Sequence, residues 1–314
     1  MESLILSFNA VAPVFLLMAV GYTVKGLGVV DKSTFNAINK LVFKLFLPVL
    51  LFYNVYTTDS IETLDAKLIL FTVLGVFAVF IIGYFIVLRI SDNNKKRGVI
   101  LQSFFRSNFA ILGIPLINSI CKDNVTGLTY LMVAVVVPLF NVLAVVCFEL
   151  FKKENKGIDI KALLKGVVTN PLIIGCVIGV IFYLFNIPLP YVVEKAVSDI
   201  SKVATPLAII VLGGSFTFLS MKGYVKELLI SVSSRLLIVP LLVLSLAVAM
   251  GFRGEALACL LIVFGAPVAV SSFSMAQQMG GDEELSAQVI VVSSVMCIFT
   301  LFLWIFVINS LGLF

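Results

Sequence analysis

The chain has 314 residues, of which 61% are hydrophobic and only 12% are charged, and its mean hydropathy is +1.16. Soluble proteins carry roughly 45–50% apolar and about 25% charged residues, so this composition excludes soluble enzymes and predicts an all-α polytopic membrane protein. The net charge is +5, and the sequence contains no histidine, which excludes His-based acid–base catalysis and most catalytic zinc sites. Its five cysteines stand at no ligand or redox spacing, so we expect no metal and no other cofactor.

Apolar stretches of about 20 residues or more follow one another along the whole chain, and each is long enough to cross a bilayer. The loops between them are short, so any activity must belong to the membrane helices themselves. The ten predicted spans are residues 5–27, 34–57, 67–90, 98–120, 125–150, 166–186, 196–219, 225–251, 255–279 and 284–312.

Lysine and arginine are distributed unevenly between alternate loops. The odd-numbered loops hold thirteen of them and the even-numbered loops hold four. Because cytoplasmic loops carry the excess of positive charge, we expect the odd loops, including loop 152–165, to be cytoplasmic and both termini to be outside. The expected location is the plasma membrane, and the net positive charge reflects this topology rather than a nucleic-acid partner.

The prolines of the two halves of the chain occur at matching positions. Pro13 and Pro171 are 158 residues apart, as are Pro48 and Pro206. Five spans in each half would place the second copy upside down relative to the first, which is the inverted-repeat architecture of many secondary transporters. The predicted units are a first repeat at 1–151, a cytoplasmic linker at 152–165 and an inverted second repeat at 166–314.

Two further tripeptides match in the middle of spans four and nine, Gly113-Ile114-Pro115 and Gly265-Ala266-Pro267. A proline there frees backbone groups that hydrocarbon does not tolerate unless protein or a water-filled cavity covers them. We therefore expect two discontinuous helices that cross near the bilayer midplane, with the freed backbone lining a substrate site. The N-terminal ends of the half-helices would point at the crossing and favour an anion.

The charged residues expected deep inside the spans are all cationic. Lys44, Arg106 and Arg235 lie well within their predicted helices, whereas all seventeen acidic residues fall in loops or at span ends. Buried ionisable groups are usually functional, so this bundle is expected to carry a negative solute. Arg106 would either bind the solute or hold neighbouring carbonyls, Arg235 would act in gating or as scaffold, and Lys44 could instead snorkel to the surface. The candidate gating or coupling residues are Arg235, Lys44 and Gln277.

Several segments resemble the auxin efflux carrier family, whose bacterial members include malate and malonate permeases. The resemblance covers nearly the whole chain and depends on the order and spacing of the motifs. These are Ser107 to Leu116 in span four, Asn170-Pro171 in span six, Ile187-Pro188-Leu189-Pro190, Ala204 to Ala208 with Leu212-Gly213-Gly214 in span seven, and Ala266-Pro267 with Ala276 in span nine.

This resemblance implies ten spans in two inverted repeats, with spans one, two, six and seven as an often dimeric scaffold and the others moving in an elevator-like way. It also implies that Asn108 and the backbone around Pro115 and Pro267 contact a carboxylate. The plant members have a long insert between the halves, and its absence here favours a compact permease for small organic acids. The candidate substrate-binding residues are Arg106, Asn108, Gly113, Ile114, Pro115, Gly265, Ala266, Pro267, Val268 and Ser271.

Other functions remain open from the sequence. One is a sodium- or proton-coupled organic-anion symporter of the bile-acid-transporter type, for which the side-chain oxygens of Ser271, Ser272, Gln277 and Gln278 would form a cation site. A passive channel is another. An intramembrane enzyme is disfavoured because no acid pair, and no serine with a plausible base, lies at depth. The expected partners are a small organic anion, the lipid bilayer and a second copy of the chain.

Overall fold

The structure is a computed structural model that describes residues 2–57, 65–121, 127–152 and 160–314. Within these ranges the regular elements are all helical, so the predicted all-α class is confirmed. The α-helices are α1 (Glu2–Gly26), α2 (Lys32–Leu41), α3 (Leu47–Tyr56), α4 (Ala66–Ile90), α5 (Asn94–Phe105), α6 (Phe109–Ile120), α7 (Gly127–Leu150), α8 (Ile160–Val168), α9 (Pro171–Leu184), α10 (Tyr191–Ser215), α11 (Val225–Ser233), α12 (Val239–Ala249), α13 (Gly254–Gly265), α14 (Ser271–Met279) and α15 (Glu283–Ser310).

Short polar residues fix the starts of several helices. Asp31, Asp65, Asn170 and Asp282 stand at N-cap positions, and each side chain accepts a hydrogen bond from an amide two or three residues later. These bonds satisfy amides that have no acceptor inside the helix. The caps therefore place α2, α4, α9 and α15 at defined points of the sequence.

Six of the helical stretches in the described ranges are long and apolar enough to cross a membrane. They coincide with predicted spans two, three, five, seven, eight and ten, and two of them continue from one α-helix into the next through a π-helical turn, at Val42–Phe46 and at Ser234–Ile238. The remaining predicted spans fall on α1, on α5 with α6, on α9, and on α13 with α14. Ten membrane crossings therefore remain a prediction.

The described part of the predicted linker includes the start of a helix. Residues 153–159 of the predicted linker lie outside the described residues, and its end is already helical in α8. The predicted sixth span at 166–186 therefore begins in α8 and continues in α9. The two helices are separate because Asn170 precedes a proline, which keeps it extended, and its side chain caps α9.

Helices from the two halves of the chain pack at backbone distance. A Cβ atom on Gly21 of α1 would lie 1.9 Å from the carbonyl oxygen of Ile210, and one on Gly213 of α10 would lie 2.0 Å from that of Met18. A Cβ on Gly175 of α9 would likewise lie 2.4 Å from a carbonyl oxygen of α3. Only glycine permits such an approach. Helices α1, α3, α9 and α10 consequently form one tightly packed group.

Two helical stretches are interrupted, and the interruptions touch. The chain leaves the helix between α5 and α6 at Arg106–Asn108, and between α13 and α14 at Ala266–Val270. Ser107 and Val268 pair in an isolated antiparallel bridge. Residues 98–109 and 257–270 are buried throughout, so protein covers the irregular backbone as a membrane requires.

One predicted break is confirmed and the other is misplaced. The second interruption contains Pro267, as predicted. The prediction of a break at Gly113-Ile114-Pro115 is wrong, because α6 continues through these residues. A proline removes one backbone N–H donor from a helix. The helix is interrupted, however, where the carbonyl groups at its end find donors outside the helix. At the end of α5 the Arg235 guanidinium supplies those donors.

Candidate functional site

A small cavity of about 60 Å³ lies beside the crossing of the two interruptions. Leucines of α3 and Ala208 of α10 give it a mainly apolar wall, and α7, with Phe140, and both interruptions contribute the opposite side. The polar residues that line it are Asn54, Arg106, Ser107, Asn108, Asn141, Thr205 and Ser271. An amphipathic pocket of this kind suits a small solute with one charged end.

The guanidinium of Arg106 is the charged group of this cavity. Arg106 follows the last residue of α5 and is 2% exposed. Its Nη2 donates to Asn141 Oδ1 at 2.7 Å and to Ser271 Oγ at 2.8 Å, and its Nη1 contacts the sulfur of Met275. Among the described residues that line the cavity there is no Asp or Glu. In the part of the chain that the structure describes, the hydrogen-bond partners of this buried charge are neutral, and a bound anion would compensate it.

The neutral partners of Arg106 are themselves fixed. The side-chain amide of Asn141 donates from Nδ2 to the carbonyl oxygen of Val137 at 2.8 Å, which turns its Oδ1 toward the guanidinium. Ser271 and Met275 stand one helical turn apart at the start of α14. Arg106 is thus held between α7 and α14 before any solute binds, which favours a preorganised site.

Helices α6 and α14 both have their amino-terminal ends at the cavity. α6 starts at Phe109, directly after Ser107 and Asn108, and α14 starts at Ser271. Such ends carry a positive partial charge, and in α14 the amides of Ser272 and Phe273 already donate to the carbonyls of Ala269 and Val270. The hydroxyl of Ser107 is buried and has no hydrogen-bond partner among the described residues. These features add to the anion-attracting character of Arg106.

Three of the predicted substrate-binding residues line the cavity, namely Arg106, Asn108 and Ser271. Pro267 and Val268 form the backbone of the crossing, whereas Gly265 and Ala266 lie at the end of α13 beside Arg235. The remaining candidates lie inside α6, beyond the interruption, and are Gly113, Ile114 and Pro115.

The three predicted gating or coupling residues lie in different places. Arg235 is buried and donates to backbone carbonyls at the crossing. Lys44 is exposed on the outer face of its π-helical turn and is not part of the cavity lining. Gln277 of α14 donates to Asn36 Oδ1 at 3.0 Å and accepts from Asn39 Nδ2 at 2.5 Å, so it links α14 to α2.

Sequence reasoning missed several residues of the cavity. Asn141 gave a usable signal, because an amide in the middle of an apolar span is costly unless it has a partner. Thr205 lies in a motif that the sequence analysis singled out, but no role followed from it. The apolar residues of α3 and α7 gave no signal, since their neighbours are equally apolar; those that line the cavity are Leu47, Leu50, Leu51, Val137 and Phe140.

Comparison with known proteins identifies the family of this chain. The model of a family described as membrane transport protein matches residues 6–305. An uncharacterized transporter of Methanothermobacter thermautotrophicus is 25% identical over 300 residues, which cover 95% of this chain and 97% of the relative. The resemblance seen in the sequence motifs is thereby confirmed. The chain is a multi-pass membrane protein and belongs to the membrane transport protein family, the family of the auxin efflux carriers.

Proposed function

We propose that this protein is a secondary transporter that moves a small organic carboxylate anion across the plasma membrane by an elevator-like alternating-access mechanism. The observation that carries the proposal is the buried guanidinium of Arg106, which lies in the cavity beside the crossing and has only neutral partners there.

A carboxylate matches this group by charge. Both N–H groups of Arg106 Nη2 already donate to Asn141 and Ser271, so a contact of the guanidinium with both oxygens of a carboxylate would displace one of these neutral acceptors. Ser107 and Asn108 line the same cavity, and in this proposal the side-chain amide of Asn108 donates to the same anion. The volume of about 60 Å³ favours a small solute.

The position of the cavity between two groups of helices supports the elevator-like motion. One wall belongs to α3 and α10, which are part of the glycine-packed group, and the other belongs to α7 and the two interruptions. The first wall is mainly apolar, so sliding costs few hydrogen bonds at the cavity itself. The hydrogen bonds between α2 and α14, made by Asn36 and Asn39 with Ser274 and Gln277, would have to break in this motion. In this proposal α1, α3, α9 and α10 stay fixed while the crossing moves with its bound anion.

The proposal includes the expected membrane organisation. Repeats 1–151 and 166–314 are inverted, both termini are outside, loop 152–165 is cytoplasmic, and two copies form a homodimer. A cysteine introduced at Lys161 should be inaccessible to impermeant thiol reagents outside the cell, while one added before Met1 should react. Labelling in the opposite pattern would reverse the assignment.

We propose further that transport carries net charge. Protons commonly pass through acidic or histidine side chains at depth, and the described lining of the cavity offers neither. An inside-negative potential, worth about 2.3 kcal/mol per charge per 100 mV, would then drive an anion outward. The alternative is a sodium- or proton-coupled symporter, which the unpartnered buried hydroxyl of Ser272 favours as a possible cation ligand.

Two measurements test the proposal. A thermal-shift screen of the purified protein against organic acids should reveal an anion that raises the unfolding temperature, because a ligand of the native state stabilises it. Flux of that anion into proteoliposomes should then follow a clamped membrane potential. A rate that ignores voltage and follows an imposed sodium or proton gradient would favour the symporter, and failure of every organic acid in the screen would contradict a carboxylate carrier.

A further inference from the structure

Arg235 is a completely buried cation that the proposed binding site does not use. It lies in the π-helical turn Ser234–Ile238 and is 0% exposed. Pro240, two residues after this turn, has no N–H to donate to the carbonyl of Leu236, four residues earlier. The indole Nε1 of Trp304 on α15 donates to that carbonyl at 3.0 Å instead. The turn is therefore stabilised from outside its own helix.

The guanidinium of Arg235 binds the carboxyl-terminal ends of both interrupted helices. At the end of α5, Nη1 donates to the carbonyl oxygens of Phe104 at 3.2 Å and Phe105 at 3.3 Å. At the end of α13, Nη2 donates to Val263 at 2.6 Å and Nε donates to Ala266 at 2.8 Å. These four carbonyls belong to the last turns or caps of the two helices, where the α-helical donors are missing.

These contacts explain how two helix ends of the same polarity can meet inside the protein. The carboxyl-terminal end of a helix carries a negative partial charge, and two such ends at one point repel each other. One guanidinium compensates both ends and supplies a donor for each carbonyl, at a depth where no water replaces it. The opposite ends of the same crossing, the starts of α6 and α14, remain free to face the cavity.

We infer that Arg235 is a positioning residue that fastens the end of α5 to the end of α13 and so fixes the geometry of the anion site. Arg106 directly follows the end of α5, and Ser271 follows the second interruption, so a shift between the two ends moves Arg106 relative to Ser271. The expected effect of Arg235 on anion binding rests on the proposed function. Its expected effect on the contact between the two interruptions does not depend on any substrate. It assigns to Arg235 neither gating nor charge transport.

The shape of the guanidinium is essential to this role. Lysine has a single nitrogen on a flexible stem and cannot donate in a fixed plane to carbonyls of two helices. Arg235→Lys therefore keeps the buried charge but loses the hydrogen bonds that join the end of α5 to the end of α13. This variant distinguishes a positioning role from compensation of charge alone. Arg89→Lys is a matched control, because Arg89 is exposed near the end of α4.

The first experiment measures the crossing itself. Cysteines are introduced at Ser107 and Val268 after the five native cysteines have been replaced, since residues paired in an antiparallel bridge are near enough for a disulfide. We expect rapid oxidative crosslinking in the parent and in Arg89→Lys, and at least fivefold slower crosslinking in Arg235→Lys. Unchanged crosslinking in a folded Arg235→Lys protein would overturn the inference.

The second experiment measures binding without the introduced cysteines. Arg235→Lys should raise the Kd of the most stabilising organic anion about tenfold, with a smaller change in the maximal transport rate. A lower unfolding temperature with an unchanged Kd would make Arg235 a fold-stabilising residue only and would also overturn the inference.

A second variant is used if Arg235→Lys does not fold. Trp304→Phe removes the support of the π-helical turn and should also slow the crosslinking. An unchanged crosslinking rate in Trp304→Phe counts against the inference. If no anion stabilises the parent, the proposed function fails while the crosslinking result still decides the role of Arg235.

Discussion

The amide nitrogen of Asn108 donates a hydrogen bond to the carbonyl oxygen of Pro267 at 2.8 Å. Both groups lie in interruptions, where the helical ladder cannot satisfy them, and both are buried away from water. An unpaired group there would cost several kcal/mol, roughly as estimated for polar groups in hydrocarbon. Each interruption therefore depends on the other for its stability.

The two prolines of the matched tripeptides should differ in their effects. Pro267 lies in the second interruption and keeps Ala266 extended, so Pro267→Ala lets α13 continue and draws the carbonyl away from Asn108. We expect uptake to fall at least tenfold. Pro115→Ala adds an N–H donor within the continuous α6, so it should raise the unfolding temperature and preserve most uptake. Equal losses of uptake in the two variants would contradict this prediction.

Removal of the charge of Arg106 should weaken anion binding strongly. Hydrogen bonds to charged groups contribute about 1.5–3 kcal/mol, so Arg106→Gln should raise the Kd of the anion more than tenfold. Arg106→Lys should retain part of the affinity because it keeps the charge. Both are measured by the ligand-induced thermal shift, with Arg89→Lys as control. A wild-type shift in Arg106→Gln would exclude Arg106 from the site.

Asn108 should tolerate loss of its amide better than gain of a negative charge. Asn108→Ala removes one donor from the cavity, whereas Asn108→Asp adds a carboxylate that repels an anion and can pair with Arg106. The Kd should therefore rise more in Asn108→Asp than in Asn108→Ala. Equal Kd values, measured by titration with the stabilising anion, would show that Asn108 is only a structural polar residue.

A methyl group between α1 and α10 should disrupt the packed helix group. The Cβ of Gly21→Ala would collide with the backbone of α10, and neither helix can yield without separating. We expect a lower yield of monodisperse protein and a lower unfolding temperature. Gly26→Ala, in the same helix but with open space around the new Cβ, is the control and should behave like the parent. Normal stability of Gly21→Ala would mean that the helices are not in contact.

The Asp31 N-cap of α2 should lose its stabilising effect on the folded protein only in strong acid. Hydrogen bonds from Thr34 and Ser33 lower the pKa of Asp31 from 3.8 to about 2. A carboxyl group with a lowered pKa in the folded state stabilises that state above its ordinary pKa, and the stabilisation is lost as the pH falls through the lowered value. The difference in unfolding temperature between the parent and Asp31→Ala should thus be constant from pH 7 to 5 and shrink toward pH 2. A constant difference down to pH 2 would contradict the role of the carboxylate.

The sequence predicted the long apolar helices well because their signal is local. α4, α10 and α15 follow directly from length, composition and hydropathy, and so does the depth of Arg106. The first interruption was misplaced because its position depends on Arg235, which is distant in the sequence. Asn141 was missed as a partner of Arg106 for the same reason. Local patterns thus predict where a helix is possible, and tertiary hydrogen bonds determine where it ends.

The glycine contacts between α1 and α10, and between α3 and α9, have a consequence for biosynthesis. Each pair joins a helix made early to a helix made after the middle of the chain. While the ribosome is still translating the first half, α9 and α10 have not been made. The faces of α1 and α3 that will contact them are then covered by lipid acyl chains or by a membrane chaperone. The closely packed group of α1, α3, α9 and α10 is therefore completed late, when α9 and α10 enter the membrane and displace those temporary neighbours.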